Sequence, residues 1–448
     1  MGRKSLARGL SIWANGERVG AWRVSSQGVD ELSYDKAWLG SEAGRPLSLS
    51  LPLNAEAHRG DTVRNYFDNL LPDSRTIRDR LAQRFRTTSS GAFDLLEAIG
   101  RDCVGAIQLL PEHDGPTNVE RIDGEPLGEA EVEKLLLDTV ITRGQGSEPA
   151  GELRISLAGA QEKTALLWHQ GQWMRPLGAT PTTHILKLPL GLVGHRRADF
   201  STSVENEWLC LNILDAFGVP VPRSAVLRFG DQKALAVERF DRRMHSSGRW
   251  LMRLPQEDFC QVLGQPSHLK YEADGGPGVA DLARVLAQSV VSQSDLEALL
   301  KVQLIFWMLG APDGHAKNFS IFLLAGGRFQ LTPIYDVMSI WPVEGGGPNQ
   351  FSRHDLKMAM AVSGKNRHYK FREIQRRHFN AMARKCNVAK DAETLIQEVL
   401  AATPGVVDSV ASRLPAGFPA VVADRILHGL EASAKLLQAM PPGPPDER

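Results

Sequence analysis

Asp313 and Asn318 stand five residues apart in APDGHAKNFS (311–320), and Asp336 follows in PIYDVMS (333–339). These residue types fit one chemistry. A carboxylate at 313 can orient a hydroxyl group and take its proton. The amide oxygen at 318 and the carboxylate at 336 are hard donors of the kind Mg²⁺ prefers, with phosphate oxygens and water completing its octahedron. Alone, an Asp and an Asn at this spacing are a weak signal, and a turn cap is the plainer account. The turn formers Ala325-Gly326-Gly327 predict a hairpin that carries the chain on to Asp336. With Asp336 placed there, the set reads as a phosphoryl-transfer centre.

Three further features bear on that reading. Lys187 lies in THILKLP (183–189), an apolar run that reads as a strand. A buried lysine needs an anionic partner, which nucleotide phosphates would supply, with Glu205 or Glu207 of the next helix to hold it. Without context, a lysine reaching to water from an edge strand is the plainer account. Ser156 to Lys163 (SLAGAQEK) puts small residues at a turn, where backbone N–H groups can cradle phosphate oxygens. It is neither a Walker A nor a GxGxxG sequence, and from spacing alone it is a hairpin. Glu238-Arg239-Phe240 leaves a strand (233–242) where backbone groups can meet a purine. Phe240 fits a place on the purine face or in a core. His315 and Lys317 suit phosphate contact or a solvated loop, and Tyr335 suits a core.

The elements that must position these residues are mixed. Asn15-Gly16 between two short apolar runs predicts an N-terminal hairpin. Helical spacing follows from about Val63 to Gly100, with 111–125 a polar loop and 143–151 a mobile Gly-rich link. Strands are expected over 153–189, a helix over 204–218 closed by Gly218, and a strand over 233–242. After about residue 250 the chain reads as mainly helical. The implied domains are 1–150, 151–245 and 246–440, with a disordered tail at 441–448. The fold class is α+β, with a small β-rich lobe and a larger helical lobe.

Composition excludes several other classes. The 448 residues carry 52 Lys+Arg against 52 Asp+Glu, so a chain built mainly to coat nucleic acid is disfavoured. Cys103, Cys210, Cys260 and Cys386 form no CxxC pair, which argues against a zinc ribbon and fits a reducing, cytoplasmic setting. The basic N-terminus has too short an apolar stretch for a signal peptide. The longest apolar run, near LIFWMLGA, is well short of a membrane span. Against this neutral background, residues 365–385 hold eight Lys and Arg against Glu373 alone. Such a patch suits DNA phosphates or a solvated helix face.

The chain resembles the HipA-type serine/threonine protein kinases, the toxin half of bacterial HipBA toxin–antitoxin modules. The resemblance rests on ISLAGAQEKTALL, PTTHILKLP, ALAVERFDRR, RLPQEDFCQ, KYEADGGPG, GAPDGHAKNFS and LTPIYDVMS, with SLSLPL and FDNLLPD nearer the N-terminus. It spans residue 9 to about 430 and implies a bilobal protein-kinase-like fold with ATP between the lobes.

The resemblance also assigns roles. Asp313 is the implied catalytic base, and Asn318 and Asp336 the implied Mg²⁺ ligands. Lys187 would meet the nucleotide phosphates, and Ala158, Gly159, Ala160, Gln161, Glu162 and Lys163 would form the phosphate loop. Glu238, Arg239 and Phe240 would hold adenine, while His315, Ala316, Lys317 and Tyr335 would line the ATP site. Ser156 matches an autophosphorylated serine whose modification ejects the loop. The implied protein substrate is glutamyl-tRNA synthetase, whose modification halts translation and promotes persistence. The implied partners are a HipB-type helix-turn-helix antitoxin and operator DNA, with a DNA contact near Arg384 and Lys385. Pro312 departs from the family pattern, and proline there fixes φ and removes a donor. Two other readings remain open: a kinase-fold nucleotidyltransferase that moves AMP, and a non-catalytic co-repressor acting on DNA.

Overall fold

The computed structural model describes residues 8–140, 156–158, 161–193 and 197–442. The expected mobile link at 143–151, the start of the strand at 153, and Gly159 and Ala160 lie outside the described residues, as does the tail from 443. The chain forms two compact units, one of residues 1–188, 227–268 and 320–329, the other of 189–226, 269–319 and 330–448. This grouping differs from the linear one drawn from sequence, because hydrogen bonding and packing cross those boundaries. The strand Ser320–Leu323 pairs with Gln256–Asp258 in the first unit. The helix Ser203–Ala216 packs on the helices Glu393–Ser412 and Ala420–Ala439 of the second.

The first unit opens with a five-stranded antiparallel sheet, in the order His58–Arg59, Asp30–Tyr34, Glu17–Val24, Arg8–Ala14, Ile107–Pro111. The hairpin falls at Asn15-Gly16, with φ of 50° and 90°, the left-handed pair a two-residue turn demands. Leu10, Ile12, Trp22 and Leu32 are buried. Trp22 stacks on Phe67 with ring centroids 4.0 Å apart, so the helix Asp61–Asp68 shares a core with the sheet. A second sheet runs Ser224–Phe229, Gln232–Glu238, His184–Lys187, Lys163–His169, Gln172–Pro176, Gly124–Pro126. The helix Glu129–Val140 seals it, setting Val132, Leu135 and Leu136 against Leu166, Leu186 and Ala236.

One of the quoted motifs latches onto another in this unit. Ser48 and Ser50 of SLSLPL donate to the Gln261 carbonyl at 3.1 and 2.7 Å, and Leu49 N–H donates to Glu257 at 2.8 Å. Glu257 is fully buried, and among the described residues its second carboxylate oxygen has no hydrogen-bond partner. Burial pushes its carboxyl up to about 8. The folded state therefore holds this proton between the ordinary carboxyl range and about pH 8, where the unfolded chain releases it. Stability from this group is full at low pH and falls as pH rises through that window, by about 1.4 kcal/mol per pKa unit of difference. Glu257→Gln is expected to melt near wild type at pH 5 and several degrees higher at pH 9. Thermal unfolding at the two pH values checks this, and parallel losses in both proteins would refute it.

The second unit is organised on the helix Ser292–Leu309, apolar on nearly every side from Val302 to Leu309 and buried accordingly. Helices Ser203–Ala216, Val279–Leu286, Arg376–Lys385 and Ala420–Ala439 pack on it. Residues 365–385 do not form the single helix face considered from sequence. They begin in a hairpin, Lys357–Ser363 with Arg367–Lys370, pass through a short 3-10 turn at Phe371–Glu373, and become α-helical only at Arg376. Arg376 is buried against Glu393, so it is not part of a surface patch. Arg377, Arg384 and Lys385 are exposed. At the chain's end, the Pro442 carbonyl accepts from Asn380 Nδ2 at 2.8 Å. Among the described residues no helix is long and apolar enough to cross a membrane. All four cysteines are buried thiols.

Candidate active site

The loop that carries Asp313 is set by how the central helix stops. Gly310 takes a left-handed φ of 58°, and Gly310 and Ala311 N–H close the last turn on Trp307 and Phe306 carbonyls. A Cβ at 310 would sit 2.6 Å from the Trp341 ring, so glycine is required twice over. Pro312 cannot extend the helix, and its carbonyl accepts from Ala359 N–H at 2.9 Å. Proline therefore anchors the loop. Asp313 follows with its side chain exposed. Its backbone carbonyl accepts from His315 N–H and from Asn318 Nδ2, both at 2.8 Å.

That second bond fixes the Asn318 amide. Nδ2 also points to the Asp336 carbonyl at 3.5 Å, which leaves Oδ1 turned away as an acceptor. Asp336 has φ of 60°, a left-handed backbone that a small polar residue tolerates and that recurs at functional positions. Asn318 Oδ1 and the Asp336 carboxylate are hard oxygen donors, and they fit a magnesium ion that takes the rest of its shell from phosphates and water. Tyr335 Oη donates to the Lys317 carbonyl at 2.9 Å, joining the two motifs. His315, Ala316, Lys317 and Asn318 are buried. The Asp313, Asn318 and Asp336 grouping inferred from spacing is thus one connected structure.

In the first unit, the antiparallel register sets Lys163 directly opposite Lys187, with Lys187 buried. Directly opposed residues of an antiparallel pair stand on the same face of the sheet, so the two lysines share one face. The loop before Lys163 is tied at each end. Gln161 Nε2 donates to the Leu188 carbonyl at 2.6 Å, and Glu162 pairs with Arg80. Ser156 is fully buried, with Oγ on the Leu70 carbonyl of FDNLLPD at 2.7 Å and N–H on the Asp102 carbonyl at 3.1 Å. Ala158 is half-buried beside it.

The Arg239 side chain departs from the adenine role. It is buried and turned inward, into a cluster of three guanidinium groups and two carboxylates. Arg239 grips Asp241 at 2.8 and 3.0 Å and reaches Thr182 Oγ1 at 3.0 Å. Arg242 and Arg253 reach Asp102 at 2.9 and 3.2 Å. Burial alone would raise the Asp102 carboxyl, but Arg242, Arg239 and Arg253 hold it well below the usual carboxylate range. Arg239 N–H also bonds the Thr183 carbonyl at 2.8 Å, which leaves the residue only its own carbonyl for a purine. Glu238 is exposed, and Phe240 packs edge-on to Phe322 at 5.7 Å. Asp102, Arg242, Arg253 and Thr182 were missed from sequence. The signal was present in the charge-dense motifs ALAVERFDRR and RLPQEDFCQ, whose arginines converge here.

The comparison with known proteins agrees with this geometry. Residues 10–110 match the HipA N-terminal domain, and residues 155–407 match the HipA-like C-terminal domain. The chain belongs to the HipA family of serine/threonine protein kinases. It is 36% identical over 340 residues to a putative kinase, Y4mE, of Sinorhizobium fredii, covering 74% of this chain and 77% of that one. It is 27% identical over 348 residues to the serine/threonine-protein kinase toxin HipA of Shewanella oneidensis, covering 73% and 72%. Among solved structures it matches the Shewanella oneidensis MR-1 complex of HipA, HipB and operator DNA with a TM-score of 0.77. That match has 22% identity and covers 96% of this chain and 97% of the other. The expected α+β kinase-like fold is therefore the observed one.

Proposed function

We propose that this chain is the toxin kinase of a type II toxin–antitoxin module, moving the terminal phosphoryl group of ATP to a protein serine or threonine in the bacterial cytoplasm. The observation that supports it most is the Asn318 amide, bonded at 2.8 Å to the Asp313 carbonyl and turned so that its oxygen is left for a cation. In this reading Asp313 takes the proton of the acceptor hydroxyl. Mg²⁺, held by Asn318 and Asp336, neutralises charge on the phosphates. Lys187 and the loop Ala158 to Lys163, with Gly159, Ala160, Gln161 and Glu162, bind phosphate. His315, Ala316, Lys317 and Tyr335 line the nucleotide, and the backbone of Glu238 to Phe240 meets adenine.

Ser156 is the proposed autophosphorylation site, and its burial gives the modification its consequence. Phosphorylation requires the segment to leave its seat. The esterified Ser156 Oγ then has no proton for the Leu70 carbonyl, and a phosphate of about −1.5 to −2 charge does not fit a buried seat, so the segment stays out. Loss of the phosphate loop would end ATP binding. Glutamyl-tRNA synthetase is the proposed substrate, through which translation stops and persistence follows.

The test is intact and peptide mass spectrometry of the full chain after incubation with ATP, with and without Mg²⁺. A phosphate-sized, Mg²⁺-dependent gain on Ser156 is expected. An AMP-sized gain would replace this reading with nucleotidyl transfer, and no gain in either condition would replace it with a non-catalytic role.

A helix-turn-helix antitoxin and operator DNA are the proposed partners, by analogy with the Shewanella complex of HipA, HipB and operator DNA. The exposed Arg384 and Lys385 support a phosphate contact. Arg384→Glu with Lys385→Glu is expected to weaken operator binding by the toxin–antitoxin complex about tenfold. The salt slope should fall by about one to two contacts. Unchanged affinity and slope across a salt titration would remove these residues from the interface.

A further inference from the structure

KYEADGGPG (270–278) carries none of the catalytic side chains, yet its backbone is tightly specified. Gly275 has φ of 97°. A Cβ on Gly276 would sit 1.9 Å from the Leu269 carbonyl oxygen, and one on Gly278 would sit 2.4 Å from the Glu272 carboxyl. Gly276 and Asp274 N–H both bond the Tyr271 carbonyl, at 2.9 and 3.1 Å. Glu272 in turn accepts from Ala361 N–H at 2.7 Å. The turn is also stitched to the catalytic loop, because Ala316 N–H donates to the Lys270 carbonyl at 3.3 Å. Such a turn holds one side chain in one place.

That side chain is Tyr271. Its hydroxyl donates to Asp313 Oδ1 at 2.7 Å. The His315 ring stands edge-on to the phenol at 5.0 Å, and the Lys270 ammonium lies 5.4 Å from the ring centre. The phenol is thus braced while the carboxylate it touches is exposed. An exposed aspartate otherwise samples several rotamers, and only some present an oxygen to an incoming hydroxyl. Phenylalanine would serve if ring packing were the whole purpose. The hydroxyl adds a directed bond to one carboxylate oxygen and leaves Oδ2 to accept from the substrate.

Resting on the kinase reading, we infer that Tyr271 is a positioning residue, holding the Asp313 carboxylate in the orientation that takes the acceptor proton. It acts through Asp313 and does not touch the nucleotide. Misplacing a catalytic group by about 1 Å costs on the order of 100-fold, so loss of this tether should be felt in the rate at saturating substrate.

The experiment follows autophosphorylation of the full chain by intact mass in Mg²⁺ and ATP, over long single-turnover incubations. It compares wild type, Tyr271→Phe, Asp313→Ala and the double variant. Tyr271→Phe is expected to lower the rate at saturating ATP by about 10- to 100-fold. The half-saturating ATP concentration and the melting temperature should stay at the wild-type values. In the Asp313→Ala background the same change should cost nothing further, because a residue acting through Asp313 has nothing left to position. A wild-type rate in Tyr271→Phe would overturn the inference, as would an equal loss in both backgrounds. A wild type that transfers nothing, or an Asp313→Ala protein as active as wild type, would instead sink the kinase assignment on which it rests.

Discussion

Asp313→Ala is expected to slow autophosphorylation at saturating Mg²⁺ and ATP by about 10²–10⁴-fold, the usual contribution of a positioned general base. That corresponds to roughly 3–5 kcal/mol of barrier at 1.36 kcal/mol per decade. The effect should be confined to the chemical step. The Asp313 side chain is exposed, so truncation opens no cavity. The bonds that shape the loop, from His315 N–H and Asn318 Nδ2, go to the Asp313 carbonyl and survive the change. ATP affinity and unfolding should match wild type. Rapid-mixing kinetics with a nucleotide-binding titration would separate the cases. An active Asp313→Ala protein would place the base elsewhere, and a protein that no longer binds ATP would make Asp313 a structural residue.

Asp102→Ala is expected to destabilise the first unit by about 3–5 kcal/mol, the range found when one member of a buried ion cluster is removed. Asp102 accepts from Arg239, Arg242, Arg253 and Thr182, and every partner side chain is buried. Without it, three buried guanidinium groups face one remaining carboxylate, Asp241, and the excess charge is costly away from solvent. Asp102→Asn keeps the shape and loses the charge, so it should cost nearly as much. Urea unfolding of the full chain measures both. The Asp102 carbonyl also receives Ser156 N–H. Limited proteolysis of the variant should therefore show faster cleavage around Ser156. Wild-type unfolding in Asp102→Ala would mean the cluster relaxes to reach solvent.

Local features were legible because their geometry is local. Asn15-Gly16 adopts the left-handed pair because few other dipeptides do so at low cost. Asp313 and Asn318 meet through a bond that closes within one short loop. Other features depend on partners far along the chain. Tyr271 finds Asp313 across 42 residues, and Arg239 finds Asp102 across 137. Nothing in ERFDRR tells a surface arginine facing a nucleotide from a buried one facing an aspartate. The basic run at 365–385 divides between core and surface for a related reason. Charge spacing does not reveal that Arg376 turns inward to Glu393 while its neighbour Arg377 turns out.

The amino-acid sequence by itself determined the chemistry available to this protein. It supplied carboxylates, an amide oxygen and strand lysines, in motifs specific enough to imply the family and its kinase-like fold. Only the tertiary structure decided which charged residues serve the site and which hold the scaffold. Burial and long-range pairing set that division: an ion buried among partners stabilises the core, and the same residue type left exposed is available to a ligand.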